Sequence, residues 1–195
     1  NTLMGYASGY TMTTGAANTF LGKSAGYACN GSDNTFVGQR AAESVTTGSG
    51  NIAIGKEAAP SSNTASNECT LGSSNISSLR CNDTSISSLS DRRDKTDIVD
   101  LPVGLNFLNT LRPVKFKWAT RDGNIKDGNI RAGFIAQELQ EAQKDCNYLD
   151  LVMDNNPDKL EAKQEHLIPV LVQAVKELSE KNDALEARLA ALEGS

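Results

Sequence analysis

Histidine is almost absent from this chain: its 195 residues hold one, His166. The four cysteines, Cys29, Cys69, Cys81 and Cys146, show neither CxxC nor Cys/His spacing. A zinc site needs such ligands close together, so none is expected, and no other metal or cofactor is implied. The thiols read as free and buried or half-buried, in a chain made in a reducing compartment. An excess of basic residues is also missing. The formal net charge is −5, which argues against binding nucleic acid through its phosphates. No apolar run approaches the roughly 18 residues of a membrane-spanning helix. A signal peptide is missing too, but Asn1 already stands inside a repeat, so the chain is expected to continue a longer protein.

Charge and glycine are unevenly spread. Residues 1–90 hold 9 of the 43 charged residues and 11 of the 16 glycines. Residues 91–195 hold the other 34 charges and the single tryptophan, Trp118. The two regimes meet at Ser90-Asp91-Arg92-Arg93-Asp94-Lys95.

The first regime is a repeat. Asn1-Thr2-Leu3-Met4-Gly5, Asn18-Thr19-Phe20-Leu21-Gly22, Asn34-Thr35-Phe36-Val37-Gly38 and Asn51-Ile52-Ala53-Ile54-Gly55 align at spacings of 17, 16 and 17. Small pairs follow each: Ser8-Gly9, Ala25-Gly26, Ala41-Ala42 and Ala58-Ala59. Gly15, Gly31 and Gly48 each precede an asparagine by three, and a degraded fifth copy is expected from Asn67. The pattern predicts a short strand, a turn in which Gly or Asn takes positive φ, and a second short strand, stacked coil on coil. One coil cannot bury its apolar side alone, so stacking and trimerisation are expected to complete the core. Tyr6, Tyr10 and Tyr27 are candidates for a glycan-binding surface, although tyrosines in such coils are more often packing residues. The coils offer no carboxylate pair at glycosidase spacing.

Residues 61–90 carry little charge. Leu71, Ile76, Leu79, Cys81, Ile86 and Leu89 punctuate a Ser/Thr/Asn background, and an intertwined three-chain β-stem is expected there. Beyond a polar arm at 91–100, a core at 91–163 should mix helix and strand. Pro102 opens a helix that Pro113 ends. Val114–Trp118 and Ile130–Ile135 read as strands around a hairpin loop marked by Asp122-Gly123 and Asp127-Gly128. Ala136–Lys144 reads as a helix, and Leu149–Met153 and Lys159–Lys163 as a strand pair.

The tail at 164–195 predicts a coiled coil. Leu171, Leu178, Leu185 and Leu192 fall at d; Ile168, Val175, Asn182 and Leu189 fall at a. Lys181 with Glu186 and Arg188 with Glu193 suit parallel strands, and Asn182 pins register at a cost in stability.

Ser90–Lys95, continued as Thr96-Asp97-Ile98, resembles the start of the endosialidase-type intramolecular chaperone domain that ends many phage tailspikes and tail fibres. Further matches are Leu111-Arg112-Pro113-Val114 with Phe116 and Trp118, Gly133-Phe134-Ile135-Ala136-Gln137-Glu138, and Leu167-Ile168-Pro169-Val170-Leu171. The resemblance implies a homotrimer in a virion tail, folded in the host cytoplasm. It also implies a single-turnover, self-cleaving serine peptidase of the Ser-Lys type that cuts at Ser90–Asp91. It maps the nucleophile onto Ser90, its helper onto Lys95, and Asp91 just past the cut. The coils resemble the β-roll of trimeric autotransporter adhesin heads. The fold class is therefore a β-roll and β-stem, then an α+β domain ending in a parallel three-stranded coiled coil.

On spacing alone, a serine and a lysine five apart are nearly always bystanders. A serine nucleophile needs a base, and a lysine serves only when its protonated form is disfavoured. Arg92 and Arg93 push that way, Asp91, Asp94 and Asp97 push back, and burial in a trimer must supply most of the effect. Ser90 attacking its own carbonyl would close a strained four-membered ring. An N→O shift would instead break Leu89–Ser90; attack from a neighbouring chain, or by the Asp91 carboxylate, avoids the strain. The competing reading is a permanent trimeric adhesin tip that binds a host glycan through the 1–60 coils. A conventional enzyme acting on a separate substrate lacks a supporting constellation.

Overall fold

The computed structural model describes residues 1–82, 86–119 and 128–194. The expected hairpin loop at Asp122-Gly123 and Asp127 lies outside them. The chain divides into two units: Asn1–Arg80 with Lys117–Asn129 and Asp154–Lys159, and Cys81–Phe116 with Ile130–Met153 and Leu160–Ser195.

The first unit contains a stack of coils, each contributing one three-residue strand: β1 Thr2–Met4, β2 Thr19–Leu21, β3 Thr35–Val37, β4 Ile52–Ile54 and β5 Cys69–Leu71. They form one parallel sheet in sequence order, in register from Thr2↔Thr19 to Ile54↔Leu71. Asparagine sets that register. Asn18 Oδ1 accepts from Asn34 N at 2.9 Å and its Nδ2 donates to Gly31 O at 2.9 Å. Asn34 repeats this with Asn51 N and Gly48 O, and Asn51 with Glu68 N and Ala65 O. A buried amide that both accepts and donates satisfies two backbone groups of its neighbours, which few other side chains can do. The glycine four residues on is needed for space: Gly22 has φ +139°, and a Cβ there would meet Gly38 O.

The middle residues of β2, β3 and β4 (Phe20, Phe36 and Ala53) are buried, while those of the end strands β1 and β5 are more open. Phe20 stacks on Phe36 at 4.8 Å, with Ala25, Ala41, Ala42, Val45, Ala53 and Ala58 filling the remainder. Burying each phenylalanine contributes about 1.5–3 kcal/mol.

Two expectations need correction. The described residues of each coil hold no second strand; turns occupy that half. Positive φ there falls on Ala7, Ser24, Arg40 and Glu57, at 54° to 58°, as well as on Gly9 and Gly26. Backbone bonds between coils hold these residues, for example Ser24 N to Tyr6 O and Arg40 N to Lys23 O, both 2.8 Å. The ladder thus imposes the conformation that residue type would disfavour. The fifth copy is also one residue later than expected. Glu68, not Asn67, takes the ladder position, and Gly72 follows it by four. From Ser73 to Ser90 the described residues form no strand.

In the second unit, α1 (Leu105–Leu108) is shorter than the span from Pro102 to Pro113. Gly104 opens it, Glu177 Oε2 accepts from Leu105 N at 2.9 Å, and Thr110 Oγ1 bonds Phe107 O at 2.7 Å as the chain leaves the helix. Strands β6 (Val114–Phe116) and β7 (Arg131–Gly133) pair antiparallel, then α2 (Ala136–Ala142) follows. Strands β8 (Val152–Met153) and β9 (Glu161–Ala162) form a second antiparallel pair, as expected. The final helix, α3 (Ile168–Glu193), carries Pro169 in its first turn. Leu139, Cys146, Leu149, Leu151, Val152, Leu167 and Val170 make the core, with Phe107, Leu111 and Phe134 packed against it. No helix among the described residues is long and apolar enough to cross a membrane.

Candidate functional site

Asp91 starts a 3₁₀ turn at Arg92–Asp94. Its side chain accepts from Arg93 N at 2.9 Å, and Lys95 N closes the turn on Arg92 O at 3.2 Å. An aspartate in this cap position satisfies an otherwise unpaired amide. The turn folds the chain back so that Lys95 Nζ donates to Ser90 Oγ at 2.6 Å. The two residues singled out in the sequence are thus brought together.

Asp91 is placed differently. Arg93 forks onto its carboxylate, with Nε at 3.1 Å and Nη2 at 2.7 Å from its oxygens. The guanidinium and the backbone N–H of Arg93 hold the Asp91 carboxyl below the ordinary carboxylate range. Of the two arginines expected to push on Lys95, Arg93 is paired with Asp91 in the single chain. Ser90, Asp91 and Lys95 are all exposed in the single chain, and Leu89 beside them is 97% exposed.

Sequence reasoning missed the device that joins two of the motifs. Arg112, in the Leu-Arg-Pro-Val stretch, forms a forked ion pair with Glu138, at the end of Gly133–Glu138. Val114 pairs with Gly133 across β6 and β7, so the two motifs meet in one small sheet and its flanking helix. A shallow cleft there is lined by Leu111, Arg112, Phe134, Ile135 and Glu138. Both residues lay within quoted motifs, but a separation of 26 residues gave no sign of pairing.

The described residues hold no cluster of three or more His, Cys, Asp or Glu able to bind a metal. Burial pushes the Cys29 and Cys146 thiols up, as suits inert core cysteines. Cys69 and Cys81 are exposed, which corrects the reading of all four as buried or half-buried.

A small α+β unit that opens on a hydrogen-bonded serine and lysine, and closes on a long helix, defines the class. Residues 90–148 match the peptidase-family model described as chaperone of endosialidase, and that segment is a domain of this family. The match begins at Ser90 and covers under a third of the chain. It stops before β8, β9 and α3. No curated protein and no solved structure matches the chain.

Proposed function

We propose that residues 91–195 form an intramolecular chaperone that assembles three copies of a phage tail-fibre or tailspike C-terminus, then frees itself by one cut at Ser90–Asp91. The observation that carries this reading is the 2.6 Å bond between Lys95 Nζ and Ser90 Oγ at the first residue of the family match. In a single chain both groups face water. Packing against neighbouring copies supplies the drier setting in which a lysine serves as base.

The cut then runs between copies. Neutral Lys95 takes the Ser90 hydroxyl proton as Oγ attacks the Ser90 carbonyl carbon of a neighbouring chain. The carbon–nitrogen bond to Asp91 breaks, and the proton passes to the departing Asp91 amine. Water then hydrolyses the ester, restoring the hydroxyl and leaving Ser90 with a terminal carboxylate. This route avoids the four-membered ring, and the Arg93 fork on Asp91 disfavours the carboxylate as nucleophile.

Trimerisation is supported by α3. Its a and d residues Ile168, Leu171, Val175, Leu178, Leu185, Leu189 and Leu192 are all half-exposed or more, whereas Val170 and Ala174 on the other side are buried. An aliphatic seam left open on a helix is what a parallel coiled coil covers.

The adhesin-tip reading draws on one observation. Tyr10 stacks on Tyr27 at 5.3 Å, Tyr6 is exposed, and Lys23 sits 6.0 Å over its ring, an aromatic surface that a sugar could contact. Expression of residues 1–90 alone separates the two. The chaperone reading expects aggregate or monomer from 1–90 alone, but a detergent-resistant trimer when the same residues are freed by cleavage. Equal assembly by both routes would leave 91–195 as no chaperone, and the permanent tip would stand in its place.

A further inference from the structure

The coil stack shows water an aliphatic column that its own fold does not require. The third residue of every strand points out of the core: Met4, Leu21, Val37, Ile54 and Leu71. Four of them are 43–64% exposed and Val37 is half-buried. Beside them, the first residues of the strands are Thr2, Thr19, Thr35, Ile52 and Cys69. These ten outward positions carry no charge: Lys23, Arg40, Glu43, Lys56 and Glu57 stand on the turns, and Asp33 and Glu68 precede β3 and β5. Outward strand positions on a solvated sheet are normally polar. Five consecutive coils break that rule at the same position.

Size decides what can cover the face. Five strands about 4.8 Å apart and three residues long make a surface of roughly 24 by 10 Å. That is well below the about 800 Å² per partner of a free-standing interface. A foreign protein could not hold on by this face alone. A copy of the same chain, already tethered through α3, could, because tethering replaces affinity by effective concentration. A copy also repeats the same residue pair at the same coil step, and brings no charge to be desolvated.

We propose that this uncharged face of β1–β5 packs against the same face of the neighbouring copies. The inference rests on the trimer reading above and adds to it the surface by which the coils meet.

Cys69 is an exposed thiol on the edge of that face, and Cys81 is the other exposed one. In a Ser90→Ala background, which keeps every variant full-length, Cys81→Ser protein is sized by light scattering, treated with a short bis-maleimide and run on a denaturing gel. A trimer that yields covalently linked chains, with the links lost in Cys69→Ser/Cys81→Ser, is the expected result. Leu71→Cys in the Cys69→Ser/Cys81→Ser background should restore them; this guards against Cys69 lying just out of reach. Lys56→Cys, on the turns, should give less than a tenth of that yield. A trimer linked at neither 69 nor 71, or linked equally well at 56, overturns this face while the trimer stands. A monomer by light scattering overturns both.

Discussion

Lys95 Nζ reaches Ser90 Oγ at 2.6 Å because an aspartate-capped 3₁₀ turn folds the intervening residues back on themselves. The cap is Asp91, the residue just past the proposed cut, and Arg93 clamps it. The turn therefore holds the hydroxyl beside the amine, and the carboxylate on Arg93.

Replacing each basic residue should separate chemistry from geometry. Lys95→Ala is expected to slow release of the 91–195 fragment by about 10²-fold or more, the scale of a lost general base. Arg93→Ala loses only the clamp on Asp91 and should slow it less. Band intensities over time on denaturing gels report both rates. Equal rates in the two variants would remove Lys95 from the role of base.

The asparagine ladder should be costly to interrupt inside the stack. Asn34→Ala leaves Asn51 N and Gly48 O without their partners. At about 1–3 kcal/mol for each orphaned buried group, the coils should lose roughly 2–6 kcal/mol. Asn1→Ala loses the matching bonds to Asn18 N and Gly15 O, but at the exposed end of the stack, where water can replace them, so it should cost less, about 0.5–1.5 kcal/mol. Denaturant unfolding followed by circular dichroism compares the two.

Much of this ladder was legible beforehand, because an in-register parallel stack repeats each contact at each coil and so writes it into the sequence as a period. The fifth copy was misframed since Asn67 matched by residue type, whereas Glu68 matches by position and by its glycine at plus four. The helix–strand order after Leu101 could be read from alternation and proline placement. The Arg112–Glu138 pair could not, because it depends on how two distant segments fold together and has no period. The exposed seam of α3 was readable because its aliphatic residues recur at heptad spacing along one helix.

Glu68 ends the ladder, since a carboxylate accepts but cannot donate as asparagine does. Burial pushes its carboxyl up, but hydrogen bonds from Ser61 Oγ at 2.6 Å, Ser61 N at 2.7 Å and Asn155 outweigh this and leave it below its ordinary value. A lowered folded-state value means that the stabilisation is present above the unfolded glutamate value of about 4.3 and is lost as pH falls below it. The coil stack of the native protein should therefore weaken on acidification through that range, and Glu68→Gln should flatten the dependence. Thermal unfolding at a series of pH values checks this.

The α3 seam should matter to assembly and not to the helix itself. Leu178 is 50% exposed, so Leu178→Asp should leave helix content unchanged by circular dichroism. Sedimentation should show the trimer lost. Asn182, whose Nδ2 bonds Glu186 of its own helix at 2.8 Å, should behave in the opposite sense. Asn182→Leu should raise the stability of the oligomer while admitting other registers or strand numbers.

Intact-mass measurement of freshly folded protein, wild type beside Ser90→Ala, tests the central claim most directly. The account predicts two wild-type masses, one ending at Ser90 and the other beginning at Asp91, and a single full-length mass for Ser90→Ala. A wild-type trimer that keeps one full-length mass, or a Ser90→Ala protein cut at the wild-type rate, would contradict it.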